Sequence, residues 1–329
     1  MNVTSSFKRA AAWGLVHSGA LSLHRSLTRR KKAILLMYHR VNDRRDPFFP
    51  ALPVKTFSAQ LEYLASRYRV EPLESVLEWL HEGGSGPPRV AITVDDGYPD
   101  THSSVLPELE RLGIPATVFL ATSPPETGRA LWTDRTRHMV KQATSKRLSL
   151  PSLGLENTPL ETDADKLTLI KRLLRGMKRF GPVKIGETLL RLTRDLKPRG
   201  PEPDVLTWSQ VRRMVQGPVF LGAHTHNHYM VSRLDSEEIV AEVETSMRLI
   251  RERAGVVATS FAYPNGEPDD YDRRSIEVLR RLGLTSAVTT VNGFARPHQD
   301  PYELPRLYTT EPFIPLFAAR LEGFSRDVS

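Results

Sequence analysis

The chain has 329 residues, of which 40% are hydrophobic, and this length is sufficient for one large core without a second domain. It contains no cysteine, which excludes disulfide bonds and metal sites built from thiolates. The formal net charge is +8 at pH 7, but residues 1–42 contain no Asp or Glu, so the basic excess lies largely at the amino terminus.

The amino-terminal segment, residues 1–32, is interpreted as a basic helical segment. Its apolar stretch is interrupted by His17 and His24, is not followed by a convincing cleavage site, and is too short to span a bilayer. A helix on an anionic membrane surface and a helix packed on the protein with a solvated basic face explain it equally well. Nucleic acid is not expected as a partner, because no nucleic-acid-binding module is recognised. A cytoplasmic or membrane-peripheral location is favoured over secretion.

Downstream of residue 32, short apolar runs alternate with segments of helical periodicity. Strands are predicted at 33–39, 89–94, 115–121, 218–223, 257–262 and 284–289. Helices are predicted at 57–67, 73–81, 103–112, 208–216, 235–253 and 272–282. Strands and helices that alternate in this way predict an α/β fold with a parallel sheet, open or closed, whose functional residues lie on the loops after the strands.

The alternation is interrupted between about residues 124 and 205. Apolar residues recur there near helical spacing, as at Leu173 and Met177, among many Lys and Arg. This pattern predicts a helical insertion over one edge of the cleft with its charges on a solvated face, and contact with an anionic polymer is the alternative. Trp132 and Trp208 flank the insertion, and core packing is expected for each in preference to stacking on a sugar ring.

The strand predicted at 89–94 is followed by two adjacent acids, Asp95 and Asp96, and by Gly97. Two carboxylates at the end of a buried strand are costly to desolvate unless a metal, a cation or a reaction pairs with them. Gly97 allows a sharp turn that directs neighbouring side chains into one space. A helix cap or an Asx-turn explains the same residues equally well, so this segment alone leaves both interpretations open.

A second apolar run, 219–223, is followed by His224, His226 and His228. Neutral imidazole is the commonest metal ligand, and three histidines at a strand end favour metal binding over core packing. A site made of His224, His228 and one carboxylate leaves a coordination position open for water, which is the pattern of a catalytic metal site. His226 is expected to face elsewhere.

These residues resemble the motifs of a known family. Residues 93–97, Thr-Val-Asp-Asp-Gly, are similar to the first motif of the polysaccharide deacetylases, the NodB-homology or carbohydrate esterase family 4 domain. Residues 224–228, His-Thr-His-Asn-His, are similar to the second motif, His-Ser/Thr-x-x-His. The resemblance implies that Asp95 is the general base. It also implies a divalent metal, zinc first with cobalt or nickel as alternatives, on Asp96, His224 and His228.

The third motif of the family is altered in this chain. The segment Phe-Ala-Tyr-Pro-Asn-Gly is similar to a pattern that reads Arg-x-Pro-Tyr-Gly in many members, with Ala262 at the arginine position and Asn265 at the tyrosine position. The family's oxyanion contact there is a backbone N–H, which Asn265 still supplies. Tyr263 and Tyr98 are assigned to the same substrate and oxyanion region. The missing arginine normally orients the base, and Arg306, expected on a late loop, is offered as its substitute.

A Leu-x-x-His motif, which the family carries near the carboxyl terminus, occurs here near the amino terminus, from Leu36 to His39. This resembles the branch that deacetylates poly-N-acetylglucosamine, in which the last barrel strand is circularly permuted to the front. The resemblance implies that His39 is the general acid, and the alternative is that it only ends a strand. A closed barrel tolerates the permutation because its first and last strands are neighbours. The family's fourth motif, Asp-x-x-Asp-Trp, is not found between Ala287 and Pro301.

The resemblance implies a distorted (β/α) barrel of the NodB-homology type within the α/β class, with the helical insertion at about 124–205. The deacetylase domain is placed at 33–315, between the basic segment and a tail at 316–329. The implied activity is metal-dependent hydrolysis of N-acetyl groups in N-acetylhexosamine units of an exopolysaccharide or cell-surface glycan, whose N-acetylated polymer or oligomer is the expected partner. Two alternatives stay open: a carbohydrate-binding homologue without turnover, and a metal amidase for a small non-sugar amide.

Overall fold

The computed structural model describes residues 12–14, 31–308 and 310–324. Most of the basic segment predicted at 1–32 lies outside the described residues, so its helix and its membrane contact stay predictions. Among the helices that are described, none is both long and apolar enough to cross a lipid bilayer.

The larger of two sheets is a closed parallel barrel. The strands are β1 (Ile34–Tyr38), β2 (Arg69–Val70), β3 (Arg89–Asp96), β4 (Ala116–Leu120), β5 (Arg147–Leu150), β6 (Leu155–Pro159), β7 (Val219–Ala223), β8 (Ser260–Ala262), β9 (Ser286–Asn292) and β10 (Leu304–Tyr308). The ring runs β1, β10, β9, β8, β7, β4, β3 and back to β1, and β2 adds to β3 outside it. This seven-stranded ring confirms the predicted (β/α) barrel.

Barrel strands are apolar along their length because the interior covers one face and helices cover the other. β1 and β4 are buried at every position, and β3 is buried from Val90 onward. β3 is longer than predicted, so that Asp95 and Asp96 are its last residues and are paired with β4. β10 has no counterpart among the predicted strands, because a proline such as Pro305 is unusual in a central strand. Arg306 therefore lies on a strand and not on a late loop.

The described helices surround the barrel or build the insertion. They are α1 (Val54–Arg67), α2 (Leu73–His81), α3 (Leu106–Leu112), α4 (Ser123–Thr127), α5 (Trp132–Lys141), α6 (Asp163–Met177), α7 (Pro182–Leu196), α8 (Trp208–Val215), α9 (Ser236–Ala254), α10 (Arg273–Arg281) and α11 (Ile314–Leu321), and a π-helical turn (Thr101–Val105) precedes α3. α9 begins with a capping box in which Asp235 and Glu238 each accept the other's backbone N–H, and it ends at Gly255. These signals explain why its predicted bounds are close to the observed ones.

The insertion between β4 and β7 has a hydrophobic core of its own. α5, α6 and α7 contribute buried side chains such as Trp132, Leu173 and Leu192. β5 and β6 form a separate antiparallel pair beside the predicted helices of the insertion. Its short strands escape the pattern because β5 alternates exposed and buried residues over only four positions. Phe48 and Met230, from the loops after β1 and β7, join this core and fix the insertion against the barrel edge where the site lies.

The last described helix packs on the barrel. Phe317 and Leu321 of α11 are fully buried in the main core, where the helix contacts α1. The domain boundary expected at residue 315 therefore falls inside a packed helix.

Candidate active site

A cavity of about 400 Å³ opens where the barrel strands reach their carboxyl ends. Its wall is formed by the loops after β1, β7 and β8, by the end of β3, and by α5 and α6 of the insertion. Eight of the residues assigned from the sequence line this cavity: His39, Asp95, Asp96, Tyr98, His224, His228, Tyr263 and Asn265. Loops that follow parallel strands converge at one end of a barrel, which is why residues distant in sequence meet here.

Asp96, His224 and His228 form a compact group whose ligand atoms all lie within 4.8 Å of one another. The Nε2 atoms of His224 and His228 are 3.2 and 3.0 Å from Asp96 Oδ1. That oxygen is buried and accepts no hydrogen bond from any described residue. Burial alone raises the pKa of Asp96, but the two imidazoles hold it well below its usual range, so the carboxylate is ionised. A buried anionic oxygen facing two imidazole nitrogens fits a divalent metal.

The ring of His224 is oriented by the third motif. Its Nδ1 lies 2.7 Å from the backbone oxygen of Ala262 and donates to it, which turns Nε2 toward Asp96. The backbone oxygen of His228 accepts a hydrogen bond from Trp132 Nε1 at 3.0 Å. Trp132 is thus a packing residue that supports the loop carrying His228. Trp208 is partly buried, and its Nε1 donates to the carboxylate of Glu126 at 2.8 Å. Neither ring lines the cavity.

At Asp96 and His228 the backbone adopts left-handed conformations that most residues avoid. Asp96 and His228 have φ angles of 73° and 60°, and Gly97 follows Asp96 with φ 76°. A Cβ on Gly97 would also lie only 2.3 Å from Cδ1 of Leu120, so the turn after β3 requires glycine for space as well as for its dihedral angles. Left-handed conformations of non-glycine residues cost of order 1–3 kcal/mol each and persist where surrounding contacts enforce them.

Glu242 of α9 enforces the conformation of the loop that carries the histidines. Its buried carboxylate accepts hydrogen bonds from the backbone N–H groups of His226 at 3.0 Å and Asn227 at 2.7 Å, and from the Asn227 side chain at 2.7 Å. His226 itself turns away from the ligand group, with Nδ1 2.9 Å from Thr122 Oγ1.

We expect Glu242→Ala to weaken metal binding about tenfold, because outer contacts that orient ligands typically contribute 10–100-fold to affinity. Competition with a fluorescent chelator measures the affinity directly. Glu244→Ala, an exposed change on the same helix, is the matched control and should leave the affinity unchanged. Equal affinities in the two variants would show that Glu242 does not shape the site.

Asp95 is held by Arg306, which is buried completely. The guanidinium donates from Nη1 to Asp95 Oδ1 at 2.7 Å and from Nη2 to Oδ2 at 2.6 Å, a bidentate pair. Nη1 also donates to Thr93 Oγ1 at 2.9 Å, and Nε donates to the backbone oxygen of Thr289 at 2.8 Å. Burial by itself raises the pKa of Asp95, but Arg306 outweighs it and lowers that pKa below its usual value. Arg306 thus contacts the carboxylate that the missing third-motif arginine would otherwise orient.

His39 lies at the mouth of the same cavity. Its Nε2 is 3.9 Å from Asp95 Oδ2, and 36% of its side chain is exposed. The imidazole packs edge-on against Tyr308 with ring centroids 6.1 Å apart. This position leaves the ring nitrogen accessible to a bound molecule and close to the carboxylate assigned as base.

Asn265 has φ 64°, and its side chain is held from both ends. Lys178, at the end of α6, donates to its amide oxygen, and its amide nitrogen donates to Asp270. Thr290 Oγ1 donates to the Asn265 backbone oxygen at 2.7 Å. The substitution of asparagine for the family's tyrosine is therefore accompanied by a local network that fixes this backbone.

The two tyrosines assigned from the sequence, Tyr263 and Tyr98, differ in whether the hydroxyl group is available to donate a hydrogen bond in the cavity. Tyr263 is buried, and its hydroxyl donates to the backbone oxygen of Tyr302 at 3.0 Å, so only its ring faces the cavity. Tyr98 lies under Arg40, whose guanidinium carbon is 3.6 Å from the ring centroid. Burial raises the pKa of Tyr98 well above its usual value, so its hydroxyl stays protonated and can donate.

Sequence reasoning missed the charged residues that the insertion brings to the site. Asp134 of α5 is buried and lies 3.1 Å from Arg40 Nη2, and burial raises the pKa of its carboxyl group. Lys178 and Arg137 line the cavity from α6 and α5. The charges of the insertion are predicted to form a solvated face, and the spacing of Asp134, Arg137 and Lys178 does not distinguish them from the exposed charges.

Comparison with known proteins gives concordant findings. A family model described as polysaccharide deacetylase matches residues 82–287. Over 70 residues the chain is 34% identical to chitin deacetylase 1 of Cryptococcus neoformans, a stretch that spans 21% of this chain but only 14% of that protein. The fold resembles the deacetylase PplD of Streptococcus pyogenes, with a TM-score of 0.58 and 18% identity over 84% of this chain and 92% of that one. For IcaB of Ammonifex degensii the TM-score is 0.58, with 18% identity over 89% and 97% of the two chains.

Proposed function

Because the chain belongs to the polysaccharide deacetylase family, we propose that it hydrolyses the N-acetyl groups of N-acetylhexosamine units in an exopolysaccharide or cell-surface glycan, with a divalent metal as cofactor. The predicted family and enzyme class, a hydrolase of carbon–nitrogen amide bonds, are confirmed. Metal dependence, the identity of the metal, and the glycan are parts of the proposal. Zinc is the metal we propose, with cobalt or nickel able to replace it.

The observation that carries the proposal is a pair of adjacent carboxylates in different environments. Asp96 faces two imidazole nitrogens, whereas Asp95 faces the guanidinium of Arg306. Two acids that differ in this way can take two different roles in one reaction. A sugar-binding homologue without turnover would need no ion pair that keeps Asp95 ionised and oriented inside the cavity.

The proposed metal ligands are Asp96, His224 and His228. They fit a divalent cation because the buried Asp96 Oδ1 has no hydrogen-bond partner among the described residues and faces the Nε2 atom of each histidine. When bound there, a divalent metal would supply the polarisation of an acyl oxygen and a lowered pKa of water, which amide hydrolysis needs.

Asp95 is the proposed general base, and Arg306 keeps it ionised and aligned. The carboxylate takes the proton of the attacking water as the carbon–oxygen bond forms. The backbone N–H of Asn265 donates to the acetyl oxygen, which becomes negatively charged when the tetrahedral intermediate forms. His39 gives a proton to the nitrogen as the carbon–nitrogen bond breaks, because an amine leaves only when protonated. The products are acetate and a free amino sugar.

We expect His39→Ala to lower kcat for N-acetylated sugars by about 10²-fold, which is the lower range for a lost general acid. An activated aryl acetate has a leaving group that needs little protonation, so the same variant should lose much less activity on that ester. His81→Ala, an exposed histidine on α2, is the control for both substrates. Equal losses on the amide and the ester would contradict the role of His39 as the acid.

Release of acetate from a panel of N-acetylated glycans and small amides, with the metal content measured in parallel, tests the proposed function. We expect acetate from N-acetylhexosamine oligomers, loss of this activity on chelation, and recovery when Zn²⁺ or Co²⁺ is added. Full activity of metal-free protein would exclude the metal. Turnover confined to small non-sugar amides would favour an amidase, and binding of oligomers without any release would favour a sugar-binding homologue.

A further inference from the structure

Two cations of the active-site cavity have no role in the proposed reaction. Arg137 lies on α5 and Lys178 at the end of α6, so the insertion supplies both. Each side chain is half-buried and lines the cavity. Arg137 Nη1 donates to the backbone oxygen of Phe48 at 3.2 Å, and Lys178 donates to the side-chain oxygen of Asn265. Both acceptors are neutral, and each cation has further N–H donors for a ligand.

The carboxylates of this cavity have other partners. Among the described residues, those that line it are Asp95, Asp96, Asp134 and Glu267. The first pairs with Arg306 at 2.6 Å, the second faces the two histidines, and the third lies 3.1 Å from Arg40. The fourth is exposed and accepts from Thr290 Oγ1 at 3.3 Å. The charges of Arg137 and Lys178 are therefore not neutralised by direct contact with any of these carboxylates.

Arg137 and Lys178 are also close enough to repel each other. Burial lowers the pKa of the Lys178 ammonium group, the charge of Asp270 partly offsets this, and the charge of Arg137 lowers the pKa further. Two like charges on one cavity wall are stabilised when an anion binds beside them, since it attracts both. The pair therefore favours a ligand with a negatively charged group.

The helices next to this wall carry a large excess of positive charge. Between residues 166 and 199, a segment that covers most of α6 and all of α7, eleven residues are Lys or Arg and two are Asp or Glu. Several of the basic side chains are exposed, among them Lys171, Arg175, Arg179 and Lys184. Such a surface raises the local concentration of anionic ligands and the rate at which they arrive. A neutral glycan gains nothing from this field, whereas an acidic glycan does.

We propose that the glycan substrate is acidic and that Arg137 and Lys178 bind a negatively charged substituent of it in the active-site cavity. This inference rests on the proposed function. The substituent is a carboxylate or a phosphate ester, and both groups accept paired N–H donors from a guanidinium. Arg137 and Lys178 thus form an anion site that determines specificity and takes no part in proton transfer.

The test uses three forms of the N-acetylglucosamine disaccharide that differ at one C6 position: an alcohol, a carboxylate and a phosphate ester. We expect the metal-loaded wild-type enzyme to favour an acidic form over the neutral one about tenfold in kcat/KM, the effect of one charged hydrogen-bonding contact. Arg137→Gln and Lys178→Gln should each lose most of this preference. Arg137→Lys keeps the charge and should retain part of it.

The ratio of acidic to neutral kcat/KM is the decisive quantity, because a general loss of turnover cancels in it. This matters for Lys178, which also contacts Asn265. Arg175→Gln, an exposed change on α6, is the matched control and should keep the wild-type ratio. Rising KCl should raise KM of the wild-type enzyme for the acidic forms more than for the neutral form, because salt screens a charged contact. Calorimetric titration of Asp95→Asn measures the same preference as binding without turnover.

Equal kcat/KM for the neutral and acidic forms in the wild-type enzyme would overturn the anion site. An acidic preference that survives both glutamine variants would also overturn it. The preferred acidic form identifies the substituent as a carboxylate or a phosphate ester. If neither neutral nor acidic glycans yield acetate, the proposed function fails. If glycans are deacetylated with no preference for acidic forms, only the anion site fails.

Discussion

Replacing Asp95 with Asn should abolish turnover and leave the metal in place. We expect kcat for an N-acetylglucosamine oligomer to fall by about 10³-fold or more, because an amide side chain cannot accept the proton of water. Asp95 lies beside the ligand group without belonging to it, since the Nε2 atoms of His224 and His228 converge on Asp96. Acetate release and metal content, measured on the same sample, check both halves of the expectation.

The contrasting variant is His228→Ala, which removes a proposed ligand. It should lose bound metal and activity together, whereas Asp95→Asn should lose activity alone. Loss of metal from Asp95→Asn would place that carboxylate among the ligands. Metal retained at full stoichiometry in His228→Ala would remove His228 from them. The pair of variants therefore separates the base from the metal site.

Arg306→Gln has the second largest expected effect, and it acts on both stability and pH dependence. The ion pair with Asp95 is buried on both sides, so removing one partner should lower the free energy of unfolding by about 3–5 kcal/mol near pH 7. Arg306 depresses the pKa of Asp95, and a carboxyl group with a depressed pKa contributes stability above its unfolded-state pKa. That contribution is lost as the pH falls through the folded-state value, so the difference between the proteins should narrow in acid.

Removing Arg306 should also shift the pH dependence of kcat/KM in a defined direction. Without Arg306 the pKa of Asp95 rises, so the acidic limb of the kcat/KM profile should move to higher pH. Arg306→Lys keeps the charge but loses the bidentate contact, so it should give a smaller shift with a folded protein. Denaturant unfolding and pH–rate profiles of the two variants measure these effects. An unchanged acidic limb in both would exclude a role of Arg306 in tuning the base.

The parts of the site that the sequence predicts are those whose chemistry is local. Asp95 and Asp96 end an apolar strand, and His224 and His228 follow another, so a parallel barrel brings them to the same end. The sequence places His39 with this group only through the predicted circular permutation of a barrel strand to the front, and the observed ring has β1 between β10 and β3. Arg306 was identifiable as a candidate partner, but not as a strand residue.

The remaining residues of the cavity depend on tertiary packing that no short pattern encodes. Asp134 and Lys178 reach the site only because the core of the insertion joins Phe48 and Met230 from the barrel loops. In the sequence, Asp134 and Lys178 are two of many charged residues on amphipathic helices. Helical periodicity indicates which face of a helix is apolar, but it does not indicate which loop that face covers. The hydrogen bonds that join Lys178, Asn265 and Asp270 cannot be predicted from the sequence for the same reason, since these residues come from separate elements.

The contact between Arg306 and Asp95 joins residues 211 positions apart in the chain. During synthesis, the strands with the proposed base, acid and metal ligands all emerge before β10, and the base stays without its cation until β10 enters between β9 and β1. Domains generally fold as units, and long-range pairings form late because loop closure must precede them. The ligand group and the Asp95–Arg306 pair should therefore form together, once β10 has been synthesised and has closed the barrel.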